Sequence, residues 1–210
     1  MLINQSQFEL TIWIWIAIAV CTFFLLMFVR APYGRHERPG WGIRIPARVG
    51  WVVMESPCIF VMTIFFGVGV MQWDSPDPVG IIFLIIWMVH YIHRSWVWPN
   101  RALIANKKMP ISIALFAIVF NSINAWINAE WIYSINYPYP AEWIHSPQFL
   151  LGIALFFLGM VINIHSDNIL FALRKKGTGE YKIPFDGLFK WISCPNYFGE
   201  IIEWIGWAIA

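Results

Sequence analysis

Six long apolar runs separated by short polar stretches organise this chain. They lie at about 9–29, 49–71, 79–98, 110–128, 148–166 and 192–210, and each is close to the roughly 20 residues a helix needs to cross a hydrocarbon core. Because a bilayer admits only helices or closed barrels, the pattern predicts an all-α, polytopic transmembrane helical bundle of six spans. The bundle forms a single domain over residues 1–210, with no internal repeat. The first run follows Met1-Leu2-Ile3-Asn4-Gln5 without a basic leader and continues through Val29, too long for a cleaved signal peptide. It is read as the first span.

Polar residues interrupt these runs at four places: Glu55, Tyr91, the stretch Asn163-Ile164-His165-Ser166-Asp167, and Pro195-Asn196-Tyr197-Phe198-Gly199-Glu200. Polar groups at membrane depth are costly and mark function, so the chain reads as an integral membrane enzyme. Composition agrees: 59% of residues are hydrophobic and 12% charged, the mean hydropathy is +0.61, and 14 of the 210 residues are Trp. Cys21, Cys58 and Cys194 have no paired spacing, so they suggest packing in preference to a disulfide framework or a zinc site.

The net charge of +2 says less than its distribution. The basic residues fall in three patches, Arg30 to Arg48, Arg94 to Lys108 and Arg174 to Lys190, while the intervening loops carry acids and aromatics. The positive-inside rule places the three patches in the cytoplasm and the N-terminus outside. Nothing in this pattern supports nucleic-acid binding.

Asn163 and Asp167 are four apart and share a helix face, as do Asn196 and Glu200, with Glu203 a turn beyond. Beside Arg174-Lys175-Lys176, these stripes suit an anionic heterocyclic cofactor arriving from the cytosol; the alternative is an interhelical hydrogen-bond network. Gly67-Val68-Gly69 and Gly177-Thr178-Gly179 are incomplete as dinucleotide fingerprints, so a Rossmann site is not expected. Glu55 precedes Pro57, which removes a backbone donor and opens the helix locally. A carboxyl isolated there favours its neutral form, and a neutral carboxyl beside a phenol such as Tyr91 is able to polarise a ketone. The alternatives are a structural hydrogen bond for Glu55 and plain packing for Tyr91. His90 and His93 lack catalytic zinc spacing, so no metal is expected. Arg94 reads as a phosphate ligand or a snorkelling arginine.

These residues resemble the steroid 5α-reductase family, of a bacterial type. The matching stretches include Pro32-Tyr33-Gly34-Arg35-His36, Glu55-Ser56-Pro57, His90-Tyr91-Ile92-His93-Arg94 and Gly159-Met160-Val161-Ile162-Asn163-Ile164-His165-Ser166-Asp167. They continue through Leu173-Arg174, Tyr181-Lys182-Ile183-Pro184 and Gly187-Leu188-Phe189, and the most specific is Pro195-Asn196-Tyr197-Phe198-Gly199-Glu200-Ile201-Ile202-Glu203-Trp204-Ile205-Gly206. The resemblance implies an NADPH-dependent oxidoreductase that reduces the 4,5 double bond of 3-oxo-Δ4 steroids by hydride transfer to carbon 5. It implies that Glu55 and Tyr91 grip the ketone and that Asn163, Asp167, Arg174, Asn196 and Glu200 bind the cofactor. Tyr33, Arg94, Asn100, Arg101, Tyr181 and Lys182 extend that pocket.

The chain departs from the family pattern in three respects. Members usually continue through a seventh helix and a basic, aromatic tail. The Asn100–Pro110 loop is longer than in the steroid enzymes, and Trp98 and Met54 stand where relatives carry Tyr and Gln. Alternatives are ene reduction of a polyprenol or an enoyl thioester, an isoprenylcysteine-type methyl transfer, or sterol binding without catalysis. The expected partners are a steroid or related lipid and membrane lipids, with the protein a monomer. The host is a bacterial inner membrane or the endoplasmic reticulum, with the cofactor site facing the cytoplasm.

Overall fold

In the computed structural model, residues 3–32, 36, 38–73, 77–104, 106–175 and 183–210 are described. They fall into two compact units, Met1–Tyr139 and Pro140–Ala210. Five helical stretches are long and apolar enough to cross a membrane: Gln5–Phe28, Ala47–Gln72, Pro78–Arg101, Ile111–Ile135 and Pro147–Leu173. The sixth expected run is shorter than the sequence pattern suggested. Pro195, whose ring suits the first helical position, starts that helix, and it covers only Pro195–Ile209.

In the first unit, α1 (Gln5–Phe28) begins with a reciprocal cap between Asn4 and Gln7. Most of its apolar side chains point outward, as expected of a helix in lipid, while Phe8 is buried and stacks on Trp131 at 5.9 Å. A short antiparallel ribbon, β1 (Arg44–Pro46) with β2 (Lys108–Pro110), pairs Ile45 with Met109. It ties together the entries of α2 (Ala47–Glu55) and α6 (Ile111–Glu130), where Met54, Met109 and Ala114 form a small core. Gly50 allows this approach, since a Cβ there would strike Met109 Sδ.

The apolar run over 47–72 is two helices. The chain breaks at Ser56, and α3 (Pro57–Trp73) starts on the proline anticipated from the sequence. Pro57 has no N–H to continue the ladder, and the Asn121 amide donates to the Met54 carbonyl at 2.7 Å. Next come α4 (Pro78–Ile92), capped by Asp77, a π-helical turn over His93–Val97, and the single turn α5 (Trp98–Arg101). After α6, a second π turn covers Trp131–Ile135, and the Tyr133 hydroxyl donates to the Gly80 carbonyl at 2.9 Å.

The second unit is an antiparallel pair, α7 (Pro147–Lys175) and α8 (Pro195–Ile209). Its contact is built on glycines spaced by seven on each helix: Gly152 and Gly159 against Gly206 and Gly199. A Cβ on Gly152 would lie 2.6 Å from the Gly206 carbonyl, and one on Gly199 would lie 2.6 Å from both Asn163 N and the Gly159 carbonyl. Only hydrogen at these positions lets the backbones meet, the small-residue packing that replaces the hydrophobic effect inside a bilayer.

Gly159→Val and Gly206→Val should therefore separate α7 from α8 and lower the thermal midpoint in detergent by several degrees, a loss of about 2–3 kcal/mol each. Gly67→Ala, where an added Cβ meets nothing within 4 Å, should leave the midpoint unchanged or raise it slightly. Equal effects of all three substitutions would contradict this picture of the packing.

Candidate active site

The helix break at Ser56 leaves Glu55 as the last residue of α2. The Asn121 amide that caps the Met54 carbonyl also reaches Glu55 Oε2 at 3.2 Å, so one side chain on α6 answers both the interrupted backbone and the carboxyl. One turn further along α6, the Asn124 amide donates toward the Tyr91 hydroxyl over a long 3.5 Å. Residues three apart lie on one helix face. This face of α6 thus brings the carboxyl of α2 and the phenol of α4 to neighbouring stations.

The Tyr91 ring is held on two sides. Trp87 lies tilted against it at 4.6 Å and His90 meets it edge-on at 4.8 Å. Trp87 is itself pinned by its indole N–H, which donates to the Cys58 carbonyl at 2.9 Å. Tyr91 and Cys58 are both buried, and the Cys58 thiol donates to the Asn121 backbone carbonyl at 3.6 Å. At the break, the Ser56 hydroxyl donates to the Val52 carbonyl at 2.6 Å and accepts from the Trp96 indole at 3.2 Å.

Arg94 sits in the π turn with its guanidinium over two indoles, Trp51 at 4.9 Å and Trp98 at 5.3 Å. The Trp51 N–H donates to the Arg94 carbonyl at 3.2 Å, which fixes the platform to the residue it carries. Stacked in this way, a guanidinium keeps its in-plane N–H donors directed outward, the geometry that suits a phosphate. Arg101 and Asn100 are exposed on α5, and the Asn100 amide donates to the Trp96 carbonyl at 2.7 Å.

In the second unit the glycine contact sets Asn163 against the first turn of α8. The Asn163 amide donates to the Asn196 carbonyl at 3.0 Å and to Glu200 Oε1 at 3.2 Å. The two polar stripes of the sequence therefore meet. Asp167, one turn on, is buried with Ser166, as is Glu203 of α8. The side chain of Arg174 and the whole of Tyr33, Tyr181 and Lys182 lie outside the described residues. Beyond the spans, burial pushes the Tyr139 phenol up to about 12, against a hydrogen bond to Asn136 that pulls the other way and with Asp77 adding to the rise.

The pattern reading missed the α6 asparagines. Asn121, Asn124 and Asn128 recur at helical spacing within an apolar run, the same signal that drew attention to Asn163 and Asp167. Cys58, read from the sequence as a packing residue, is buried.

Comparison with known proteins agrees with this architecture. Residues 107–210 match the family model described as 3-oxo-5-alpha-steroid 4-dehydrogenase. A steroid 5-alpha-reductase DET2 of Gossypium hirsutum is 36% identical over 209 residues, covering 98% of this chain and 80% of the relative. A DET2 of Arabidopsis thaliana is 39% identical over 194 residues, covering 90% and 72%. The 3-oxo-5-alpha-steroid 4-dehydrogenase 1 of Bos taurus is 39% identical over 201 residues, covering 94% and 77%. With this identity sustained along most of both chains, the protein belongs to the steroid 5-alpha-reductase family and is an oxidoreductase acting on CH–CH groups.

Proposed function

We propose that the chain reduces the 4,5 double bond of a 3-oxo-Δ4 steroid, with NADPH as hydride donor and with Glu55 and Tyr91 gripping the 3-ketone. The observation that carries this reading is the pairing of Glu55 and Tyr91 along one face of α6, each beside its own asparagine amide. A carboxyl and a phenol so placed can both donate to one ketone oxygen.

A neutral Glu55 carboxyl, whose Oε2 accepts from Asn121, has one O–H to donate. As carbon 5 receives hydride, the π electrons shift to make an enolate, and negative charge grows on the carbon 3 oxygen. Tyr91 and Glu55 stabilise that charge; carbon 4 then takes a proton drawn from solvent, the carbonyl re-forms, and the substrate has gained two electrons and two hydrogens. Donors aimed at a developing oxyanion in a water-excluded site supply much of a rate enhancement. The reduced nicotinamide, when bound, supplies the hydride.

The donor set of the second unit fits such a dinucleotide. The amides of Asn163 and Asn196 and the carboxyls of Asp167 and Glu200 offer donors and acceptors for ribose hydroxyls and carboxamides, and Arg174 on the same helix as Asn163 adds a cation for phosphate. Arg94, Asn100 and Arg101, together with Tyr33, Tyr181 and Lys182, are proposed as further cofactor ligands from the family resemblance. The three basic patches support a cytoplasmic approach for the cofactor.

Incubating detergent-purified protein with NADPH and progesterone should give a product two hydrogens heavier by mass spectrometry. Glu55→Gln should lower turnover about a hundredfold; near-normal turnover would remove Glu55 from this role, and absence of product from the unaltered chain would favour a different lipid substrate. For the cofactor set, Asn163→Leu should raise the KM for NADPH about tenfold, the equivalent of one good hydrogen bond, with the steroid KM unchanged. Equal rises in both constants, accompanied by a lower thermal midpoint, would assign Asn163 to holding α7 on α8 alone.

A further inference from the structure

Each of the two helices that carry Glu55 and Tyr91 runs into an interruption with a proline in it. Pro57 follows the break after α2, and Pro99 lies in the turn α5 that follows the π turn. A proline brings no N–H, and at both places a side chain donates across the gap between the two elements. The π turn spends the Trp98 N–H on the His93 carbonyl, and the Trp51 indole of α2 donates to the Arg94 carbonyl at 3.2 Å. In the opposite direction, the Trp96 indole of the π turn donates to the Ser56 hydroxyl oxygen at 3.2 Å. The two elements thus exchange indole donors.

Ser56 is the junction of this exchange. Its N–H and its hydroxyl both donate to the Val52 carbonyl, at 3.1 and 2.6 Å, and its own carbonyl accepts from the Ile59 N–H at 3.0 Å. It is therefore bonded to α2, to α3 and to the π turn at once, and Glu55 is its chain neighbour. Trp96 follows Tyr91 by five residues, one turn of the π geometry.

We infer that Ser56 and Trp96 are positioning residues for the ketone grip, their hydrogen bond setting the separation of the Glu55 carboxyl from the Tyr91 hydroxyl. The last turn of a helix has the fewest backbone bonds to hold it, so the direction of Glu55 depends on what holds Ser56. The α6 asparagines support the two grip residues from one side, whereas the indole exchange joins α2 to the π turn directly. Donors must stay within about 0.5 Å of productive geometry, and a small misplacement costs the reaction more than it costs binding of the steroid skeleton. Loss of the tie therefore lowers kcat and the advantage of a ketone over a steroid without one.

This inference rests on Glu55 and Tyr91 gripping the ketone, and the test separates the two. Equilibrium dialysis of the full chain in detergent, with a radiolabelled 3-oxo steroid and with the same steroid lacking the 3-oxygen, gives the ketone preference. Turnover with NADPH and the thermal midpoint are measured in parallel. Ser56→Ala and Trp96→Phe should each lower kcat about fivefold, the worth of one hydrogen bond, and reduce the ketone preference by a similar factor, with binding of the deoxy steroid unchanged. The two substitutions together should be no worse than Ser56→Ala alone, and Ser56→Thr, which keeps the hydroxyl, should retain the unaltered values. Trp96 is 41% exposed, so Phe there removes the N–H with little loss of packing; if that variant does not fold, Ser56→Ala against Ser56→Thr decides. A lower thermal midpoint with kcat and ketone preference kept, or losses that add in full in the double variant, overturns the inference. Glu55→Gln and Tyr91→Phe variants that both keep the ketone preference overturn the grip itself. If those two lose it while Ser56→Ala and Trp96→Phe keep it, the inference alone falls.

Discussion

Twice among the described residues an asparagine amide donates simultaneously to a backbone carbonyl and to a glutamate carboxyl. Asn121 does so to Met54 and Glu55, and Asn163 to Asn196 and Glu200. An amide nitrogen has two protons and can serve both acceptors. Inside a bilayer no water is at hand to replace either bond, and an unanswered buried acceptor costs about 1–3 kcal/mol. The consequence is that each carboxyl is held where its asparagine is held, and each asparagine is fixed by a helix contact. The positions of the chemically useful groups follow from where α6 passes α2 and where α7 meets α8.

The two helix contacts achieve this by different means. Between α7 and α8, glycines seven apart bring backbone against backbone, so the register cannot slip without steric overlap. Asn163 lies in line with those glycines and is presented to the first turn of α8. Between α2 and α6, the fixing elements are a two-stranded ribbon at the helix entries and a broken helix whose exposed carbonyl attracts Asn121. The first contact is held by exclusion; the second is held where the Asn121 side chain donates to the Met54 carbonyl beside the break between α2 and α3.

The sequence displayed much of this before any coordinates. Helix number and approximate bounds follow from apolar runs because the bilayer tolerates no other element. Asn163, Asp167, Asn196 and Glu200 stood out because polar residues at helical spacing are rare in such runs. The reading did not extend the same rule to Asn121, Asn124 and Asn128, although the signal was equally present. Other features were not legible at all. The β1–β2 pairing joins residues more than sixty positions apart within short loops of ordinary composition. The length of α8 depends on a proline that reads equally well as a break or a start, and the seating of Arg94 on Trp51 and Trp98 depends on a π turn that no periodicity announces.

That π turn has its own logic. An inserted residue shifts the faces of a helix by about 100°, and here the insertion falls between Tyr91 and the proline-led turn of α5. Tyr91 stays on the face packed by Trp87 and His90, while Arg94 is directed onto the indoles of Trp51 and Trp98. Two residues only three apart then serve different surroundings: a phenol packed by Trp87 and His90, and a guanidinium seated on the faces of Trp51 and Trp98. In an unbroken α-helix, positions three apart share one face, and the cation would lie beside the phenol it must not perturb. π bulges are often found at functional sites; here the bulge separates two electrostatic tasks along a single span.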